Sequence, residues 1–466
     1  PYSLLDFKTT TNFDAVIMSY QNSKVSQELS AQLIFGARAA KGRLPVSLGA
    51  DFPIHTHIQT KAIQRLTYGA AQSVGLSSAR LQKIDSIASL GIKEGMMPGA
   101  QILVARKGKV IYNKTFGHHT QNKIKPVLQT DVYDVASLTK IIATLPLVMQ
   151  LVDKGVITME TTLSELLPQY KQTDKANITL RRMLTHTARL KSWIPYYVNT
   201  MDSLTNKPKA KWYKPSYSKD FPYKVASKMY LKREYKDSIY RFIRESELRE
   251  NQEYKYSDLP YYLLMKYLER YYQVSLDTLV KQHFYASLGA YSMTYNPLDT
   301  FDINTIVPTE EDTYFRMQKI HGYVHDQGAA MLGGVSGHAG VFSTANDVAK
   351  MMQLFLNGGS YGGQQYLSSK VIDDFNTCYY CDQNVRRGMG FDKPQLEDSG
   401  PTCGCVSMSS FGHSGFTGTF TWADPEKEIV YVFMSNRTYP SAENKKMVET
   451  NLRSNIQAVI YEAIID

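Results

Sequence analysis

Three short stretches of this 466-residue chain carry residue types that could perform acyl-transfer chemistry together. In Asp134-Val135-Ala136-Ser137-Leu138-Thr139-Lys140 a serine and a lysine stand three residues apart, so on a helix they lie one above the other. The apolar run that follows, ending at Asp153-Lys154-Gly155, has the length and glycine stop of a buried helix. Ser137 would then occupy a first turn, where unpaired N–H groups and the positive dipole end favour a developing oxyanion. A lysine one turn on, partly desolvated against that helix, can lose its proton and help activate the hydroxyl. The second stretch, Tyr254-Lys255-Tyr256-Ser257-Asp258-Leu259-Pro260, precedes a helix predicted over Tyr261 to Tyr271 and puts Tyr256 at a loop–helix junction. The third, Phe411-Gly412-His413-Ser414-Gly415-Phe416-Thr417-Gly418-Thr419, sets His413 at the mouth of a strand, among glycines that let a ligand approach the backbone.

Two look-alikes are set aside. Ser216-Tyr217-Ser218-Lys219 repeats the Ser–Lys spacing in a polar, proline-flanked stretch with no apolar helix behind it, and reads as chance. Gly358-Gly359-Ser360-Tyr361-Gly362 fits a G-x-S-x-G pattern but follows a helix instead of a strand, so it reads as a helix cap and turn. His186 and His338, beside Thr and Gly turns, are read as structural turn residues. The four cysteines, Cys378, Cys381, Cys403 and Cys405, leave disulfides, free thiols and a zinc site all open. No His-rich or carboxylate cluster suggests a catalytic metal, and no cofactor is expected.

Composition, 43% hydrophobic and 21% charged, is that of a globular protein, without an apolar run long enough to span a bilayer. The chain opens at Pro1 without a start Met or signal peptide and is expected to be a processed or truncated piece. Much of its net charge of +10 lies between Lys191 and Tyr256, where 15 Lys and Arg face 8 Asp and Glu among ten tyrosines. Such a basic, aromatic segment could bind an anionic glycan or an acidic peptide. The plainer expectation is a helical subdomain whose rings pack and whose lysine stems cover them. No nucleic-acid motif accompanies the charge.

The periodicity of the elements supplies a frame for these stretches. Phe13 to Tyr20 reads as a buried strand, Val25 to Phe35 as a helix, and Gly42 to Leu48 as a turn and short strand. Residues 49–75 are linker-like. A helix capped near Ser77 runs from Arg80 to Glu94, and a hairpin follows over Pro98 to Lys114 with Gly108 at its turn. The middle, to about residue 290, reads as mostly helical. A capped helix covers Val348 to Leu356; strands return over Phe416 to Ala423 and Glu428 to Ser435, before a closing helix. Strands at both ends with helices between imply one antiparallel sheet built from the two termini.

Two resemblances follow from these residues. Ser19-Tyr20-Gln21-Asn22, Gln27-Glu28-Leu29 and Gly42-Arg43-Leu44-Pro45-Val46-Ser47 resemble the extreme C-terminal end of glycoside hydrolase family 3 enzymes of the β-N-acetylhexosaminidase kind. That family's catalytic residues lie far upstream, so the resemblance implies no glycosidase activity here, only an upstream glycosidase-like domain in the full-length protein. From about residue 76 the order S-x-x-K, Y-x-D and H-x-G resembles the serine β-lactamase and penicillin-binding-protein superfamily, nearest its class C β-lactamases, D-peptidases and esterases. Leu184-Thr185-His186-Thr187 and Gly337-His338-Ala339-Gly340-Val341-Phe342-Ser343-Thr344 are similar to it as well. The implied fold is α+β and β-lactamase/transpeptidase-like: an antiparallel sheet flanked by helices, an inserted helical subdomain, and a short α/β N-terminal extension. The implied domains are 1–60 (the glycosidase-like remnant), 61–75 (a linker) and 76–466 (the hydrolase).

By the same resemblance Ser137 is the nucleophile, Lys140 its proton partner and Tyr256 the general base, with backbone N–H groups of Ser137 and Phe416 as the oxyanion hole. His413 contacts substrate and Tyr256, while Asp258, Ser414 and Gly415 border the substrate. The implied activity is serine acyl hydrolysis of a small ester, amide or D-amino-acid peptide of cell-wall type, in a bacterial periplasmic or other extracytoplasmic setting. The rival is a catalytically silent module of the same fold that binds glycan or peptide. Two departures bear on selectivity: Asp258 stands where the family has Asn, and His413 where classical members have Lys. An imidazole is mostly neutral at pH 7, so this reading expects uncharged acyl groups to be preferred over carboxylate-bearing β-lactams.

Overall fold

Two apolar segments far apart in the chain, Gly99–Arg106 and Ile429–Ser435, are buried along their whole length, and pairing them creates the centre of the fold. The computed structural model describes residues 12–251, 253–397 and 400–465. Six strands form the main sheet: β1 (Thr67–Tyr68), β2 (Gly99–Arg106), β3 (Lys109–Gly117), β4 (Phe411–Ser414), β5 (Phe420–Asp424) and β6 (Ile429–Ser435), in the order β1-β3-β2-β6-β5-β4. All neighbours are antiparallel except β1 and β3, which run parallel at the edge. The β2–β6 register, Ile429 opposite Arg106 through Ser435 opposite Ala100, joins the two ends as the sequence predicts.

Side chains alternate between the faces of these strands, so each face meets its own core. Ile102, Val104, Tyr431 and Phe433 point to one side, where α2 (Lys83–Lys93) and α7 (Leu452–Glu462) contribute Ile84, Ala88, Ile456 and Ile460. Leu103, Ala105, Val430 and Val432 point to the other, where they join Leu145 and Leu147 of α3 (Leu145–Asp153) and Val348 and Met352 of α6 (Ala345–Leu356). The hydroxyl of Ser77 accepts from Arg80 N–H and starts the α2 region where the cap was expected.

The insertion between the sheet halves holds α4 (Tyr235–Glu245) and α5 (Leu259–Tyr272). It is less helical than its sequence suggests: Tyr213–Lys214, Tyr223–Ala226 and Met229–Leu231 form a small antiparallel sheet. Strands this short leave no readable alternation. The tyrosines behave as the plainer expectation has it. Tyr196 packs on Phe242 and Tyr262, Tyr235 on Trp212, and Lys266 lies 4.1 Å over the Tyr240 ring.

The N-terminal extension departs from expectation. Its helix α1 (Lys24–Ile34) forms, capped by the Ser23 hydroxyl, but none of its residues is buried. Phe13 to Tyr20 and Gly42 to Leu48 form no strands, because among the described residues no neighbouring strand offers them hydrogen-bond partners. Residues 1–11 of the extension lie outside the described residues. Among the described residues, no helix is long and apolar enough to cross a membrane.

This asymmetry in burial sets a stability contrast. Leu103 is fully buried in a central strand, so Leu103→Ala should destabilise the protein by about 2–5 kcal/mol. Ile34, 66% exposed, should lose less than about 0.5 kcal/mol on conversion to Ala. Urea unfolding of both variants checks this; equal losses would contradict the burial assignment.

Candidate active site

The segment that carries Ser137 owes its shape to one buried carboxylate. Asp134 accepts the N–H of Ala136 at 2.8 Å and that of His325 at 2.6 Å. The first bond folds the chain back on itself and holds Ala136 at φ +47°, a left-handed conformation that a non-glycine residue adopts only under constraint. Ser137 comes next, at the start of a helical turn, as its sequence context predicts. Lys140–Thr144 is a π turn that leads into α3. Pro146, which has no N–H, cannot serve the carbonyl of Ile142, and the Tyr285 hydroxyl donates to it instead at 3.1 Å.

Lys140 has no exposed side-chain surface. Its ammonium donates to the Ser137 hydroxyl at 2.9 Å and to the His338 carbonyl at 3.1 Å, and it pairs with the Asp258 carboxylate at 2.7 Å. Burial favours the neutral amine, but Asp258, aided by Tyr256, outweighs it and holds the pKa above the ordinary lysine value. Lys140 therefore holds its proton more firmly than burial alone, the one effect legible in the sequence, would have it. Asp258, expected to border the substrate, spends its carboxylate on Lys140 and lines a small pocket with Trp193, Tyr196 and Asp326.

Tyr256 lies with its ring 5.2 Å from the Lys140 ammonium. Its hydroxyl is buried and makes no hydrogen bond of ordinary geometry, although Lys140 and Ser137 are near enough to act on its titration. Burial raises the Tyr256 pKa; Lys140 pulls it back, Asp258 pushes it up again, and the result stays above the ordinary value. His186, a turn residue at φ +59°, also supports the site: its Nδ1 accepts the Ser257 N–H at 3.2 Å and its ring lies 4.6 Å from that of Tyr256. His338 supplies its carbonyl to Lys140, while its ring stacks on Tyr262 at 4.3 Å and meets Asp326 at 2.8 Å.

His413 is delivered by β4, opposite Thr421 of β5. Its Nδ1 donates to the Ser414 carbonyl at 2.7 Å, which leaves Nε2 as a buried lone pair without a partner. Burial first, then the charges of Arg387 and Lys140, hold its pKa well below the ordinary histidine value, so it is neutral at pH 7. The turn after β4 is clamped to the segment that carries Ser137. Thr417 Oγ1 donates to the Asp134 carbonyl at 2.8 Å and Thr419 Oγ1 to that of Val135 at 2.9 Å. A Cβ on Gly415 would stand 2.0 Å from Thr419 Oγ1 and 2.6 Å from the Val135 carbonyl, so only glycine allows this approach. The N–H groups of Ser137 and Phe416 donate to no acceptor among the described residues.

These groups open onto a cleft of about 500 Å³ lined by Ser137, Tyr254, Tyr256, His413, Ser414, Gly415 and Phe416, together with Arg386, Arg387, Arg437 and Arg453. Sequence reading missed the arginines and Tyr254. Arg387 donates to the Tyr254 hydroxyl at 2.9 Å and lies over the Tyr256 ring at 5.4 Å, a placement that only the folded chain reveals. Flanking the loop that carries Arg386 and Arg387, the cysteines form two short-range disulfides, Cys378–Cys381 and Cys403–Cys405, which removes the zinc and free-thiol alternatives. Both look-alike serines lie elsewhere. Ser216 is in an exposed bend, and Ser360 donates to Gln64 and Asn357 in a small hairpin.

A sequence profile of the beta-lactamase family matches residues 84–452. The chain belongs to the beta-lactamase family. Its beta-lactamase/transpeptidase-like fold recurs in solved structures at identities too low to say more than that. "EstCE1, a hydrolase with promiscuous acyltransferase activity" aligns with TM-score 0.60 and 18% identity, covering 82% of this chain and 99% of that one. A penicillin-binding protein homologue from Pyrococcus abyssi aligns with TM-score 0.56 and 18% identity, over 80% and 77%. In sequence, a Salmonella agona (strain SL483) protein named "Putative D-alanyl-D-alanine carboxypeptidase" is 28% identical over 410 residues, 82% of this chain and 88% of its own length.

Within this beta-lactamase-family site, Asp258 has a testable electrostatic effect. Its charge stabilises the Lys140 ammonium and opposes a Tyr256 phenolate, so it raises both pKa values. Asp258→Asn should lower both, and the alkaline inflection of the pH–rate profile should move to lower pH by about 1–3 units. An inflection that stays in place, in a variant that retains turnover, would contradict this coupling.

Proposed function

We propose that the protein is a serine acyl hydrolase that cleaves an ester, amide or D-amino-acid peptide bond in two half-reactions through an acyl-enzyme on Ser137. The observation that carries this reading is the 2.9 Å contact of Ser137 Oγ with a buried Lys140, at the mouth of a cleft that also presents Tyr256 and His413. In the first half-reaction the Lys140–Tyr256 pair, having first released one proton to solvent, accepts the proton of Ser137 Oγ as that oxygen attacks the carbonyl carbon. The carbonyl oxygen, now an anion, is held by the free N–H groups of Ser137 and Phe416. The leaving group takes the proton as the bond to carbon breaks. In the second, water attacks the acyl carbon, the same pair accepts its proton, and Ser137 is released protonated.

Residues 76–466 form the catalytic unit in this reading, and the family match over 84–452 supports it. Cell-wall peptides are the favoured natural substrates, a choice supported by the name of the Salmonella relatives. An extracytoplasmic setting accords with two disulfides, which persist in oxidising compartments.

The test is a stopped-flow burst with a 4-nitrophenyl ester, followed by a panel of acyl-D-Ala-D-Ala peptide, D-amino-acid amide and chromogenic cephalosporin. A burst of one equivalent is expected, and Ser137→Ala should reduce turnover by at least about a thousandfold. Retained turnover in Ser137→Ala would refute the nucleophile. A parent protein without burst or turnover on the whole panel would favour the silent binding module, to which Asp258 would then contribute by holding both candidate bases protonated.

A further inference from the structure

The four guanidinium groups of the cleft fall into two unlike pairs. Arg386 and Arg387 share the Asp392 carboxylate, Arg387 at 3.5 Å and Arg386 in direct contact. Arg437 and Arg453 have no carboxylate partner among the described residues. Arg437 Nη1 donates to the carbonyls of Ala442 at 3.3 Å and Asn444 at 2.6 Å, and Arg453 Nη1 to those of Gly418 at 3.4 Å and Thr419 at 3.1 Å. Arg437 is buried with its guanidinium 4.9 Å over the Phe416 ring, and Arg453 is half-buried over Phe420 at 5.4 Å. Burial lowers the pKa of Arg437; burial and the charge of Arg437 together bring that of Arg453 down to about 10.

Arg453 also lies in the first turn of α7, whose start is capped by no side chain and follows Asn451 at φ +54°. A helix start carries partial positive charge, so a cation there is repelled unless an anion stands between. Two desolvated cations and a helix start, gathered without a counter-charge, are unfavourable by themselves and become favourable around an oxyanion. Carbonyl contacts hold one edge of each planar group in place and leave its other donors to the cleft.

We propose that Arg437, Arg453 and the start of α7 form an anion subsite of the cleft, and that the substrate hydrolysed at Ser137 carries a carboxylate or phosphate that this subsite holds. The inference rests on the acyl-hydrolase reading and deepens it. Arg437 covers the ring of Phe416, whose N–H faces the reacting oxygen in that reading, and Arg453 grips the carbonyl of Thr419, whose hydroxyl is fixed to the nucleophile segment. The subsite and Ser137 therefore border the same turn. A neutral His413 does not leave the cleft without fixed positive charge, contrary to what the third motif suggests when read alone: that charge comes from two arginines outside all three motifs.

Two measurements test it. Thermal unfolding of the native protein and of Ser137→Ala, at constant ionic strength, is followed against inorganic phosphate, glutarate and a chloride control. A saturable rise in Tm with phosphate or glutarate beyond chloride, reduced at least tenfold in affinity in Arg437→Gln and Arg453→Gln, supports the subsite and says which oxyanion it prefers. No rise with either anion in the native protein overturns it, even where Arg453→Gln fails to fold. The second measurement is the kcat/KM ratio of charged to neutral esters, with the carboxylate on the acyl side (4-nitrophenyl hemiglutarate) or on the leaving group (3-carboxy-4-nitrophenyl butyrate), against 4-nitrophenyl butyrate. The native protein should favour one charged ester at least tenfold, Arg437→Gln should erase that preference, and Arg437→Lys should restore part of it. Turnover without any charge preference refutes the subsite and spares the hydrolase; saturable anion binding without turnover does the reverse.

Discussion

A fully buried lysine that remains charged is the constraint from which the site follows. Removing an ammonium from water without a partner is unfavourable by several kcal/mol, so Lys140 can be buried only where counter-groups meet it. They come from two distant parts of the chain: Asp258 from the residue before α5 and the His338 carbonyl from the glycine turn before α6. The Ser137 helix, the inserted helical region and the sheet-side loop must therefore converge on a single nitrogen. The same convergence lays the Tyr256 ring beside Lys140 and leaves the Ser137 hydroxyl within its reach.

A second constraint acts on the backbone. Asp134 bends the chain so that Ala136 takes a strained conformation and Ser137 is presented to the cleft. Thr417, Thr419 and side-chain-free Gly415 then press the β4–β5 turn against that bend. Two free N–H groups are thus fixed on adjoining segments. Rigid donors that need no reorganisation are what a developing oxyanion requires.

What the sequence made legible was what periodicity and short-range spacing encode. β2 and β6 announce themselves as continuous apolar runs, and the Ser137 helix by the buried stretch behind it; both ends of the chain therefore assign the sheet correctly. The strands expected near Phe13 and Gly42 did not form, because local pattern cannot supply a pairing partner. The charge held on Lys140 is illegible for a related reason: it depends on a 2.7 Å approach by a residue more than a hundred positions away. The cleft arginines were invisible in the same sense. Arg437 and Arg453 follow no motif, and their significance lies in the carboxylate they lack, which no linear spacing reports.

Every role assigned to the cleft depends on Ser137 Oγ being the atom that takes the acyl group. Treating the intact protein with a fluorophosphonate, then mapping the adduct by tandem mass spectrometry, reads that atom directly. A single adduct on the peptide that contains Ser137, formed faster as pH rises through the deprotonation of the Lys140–Tyr256 pair, is the predicted result. An adduct on another serine, or none under conditions where the protein remains folded, would contradict it.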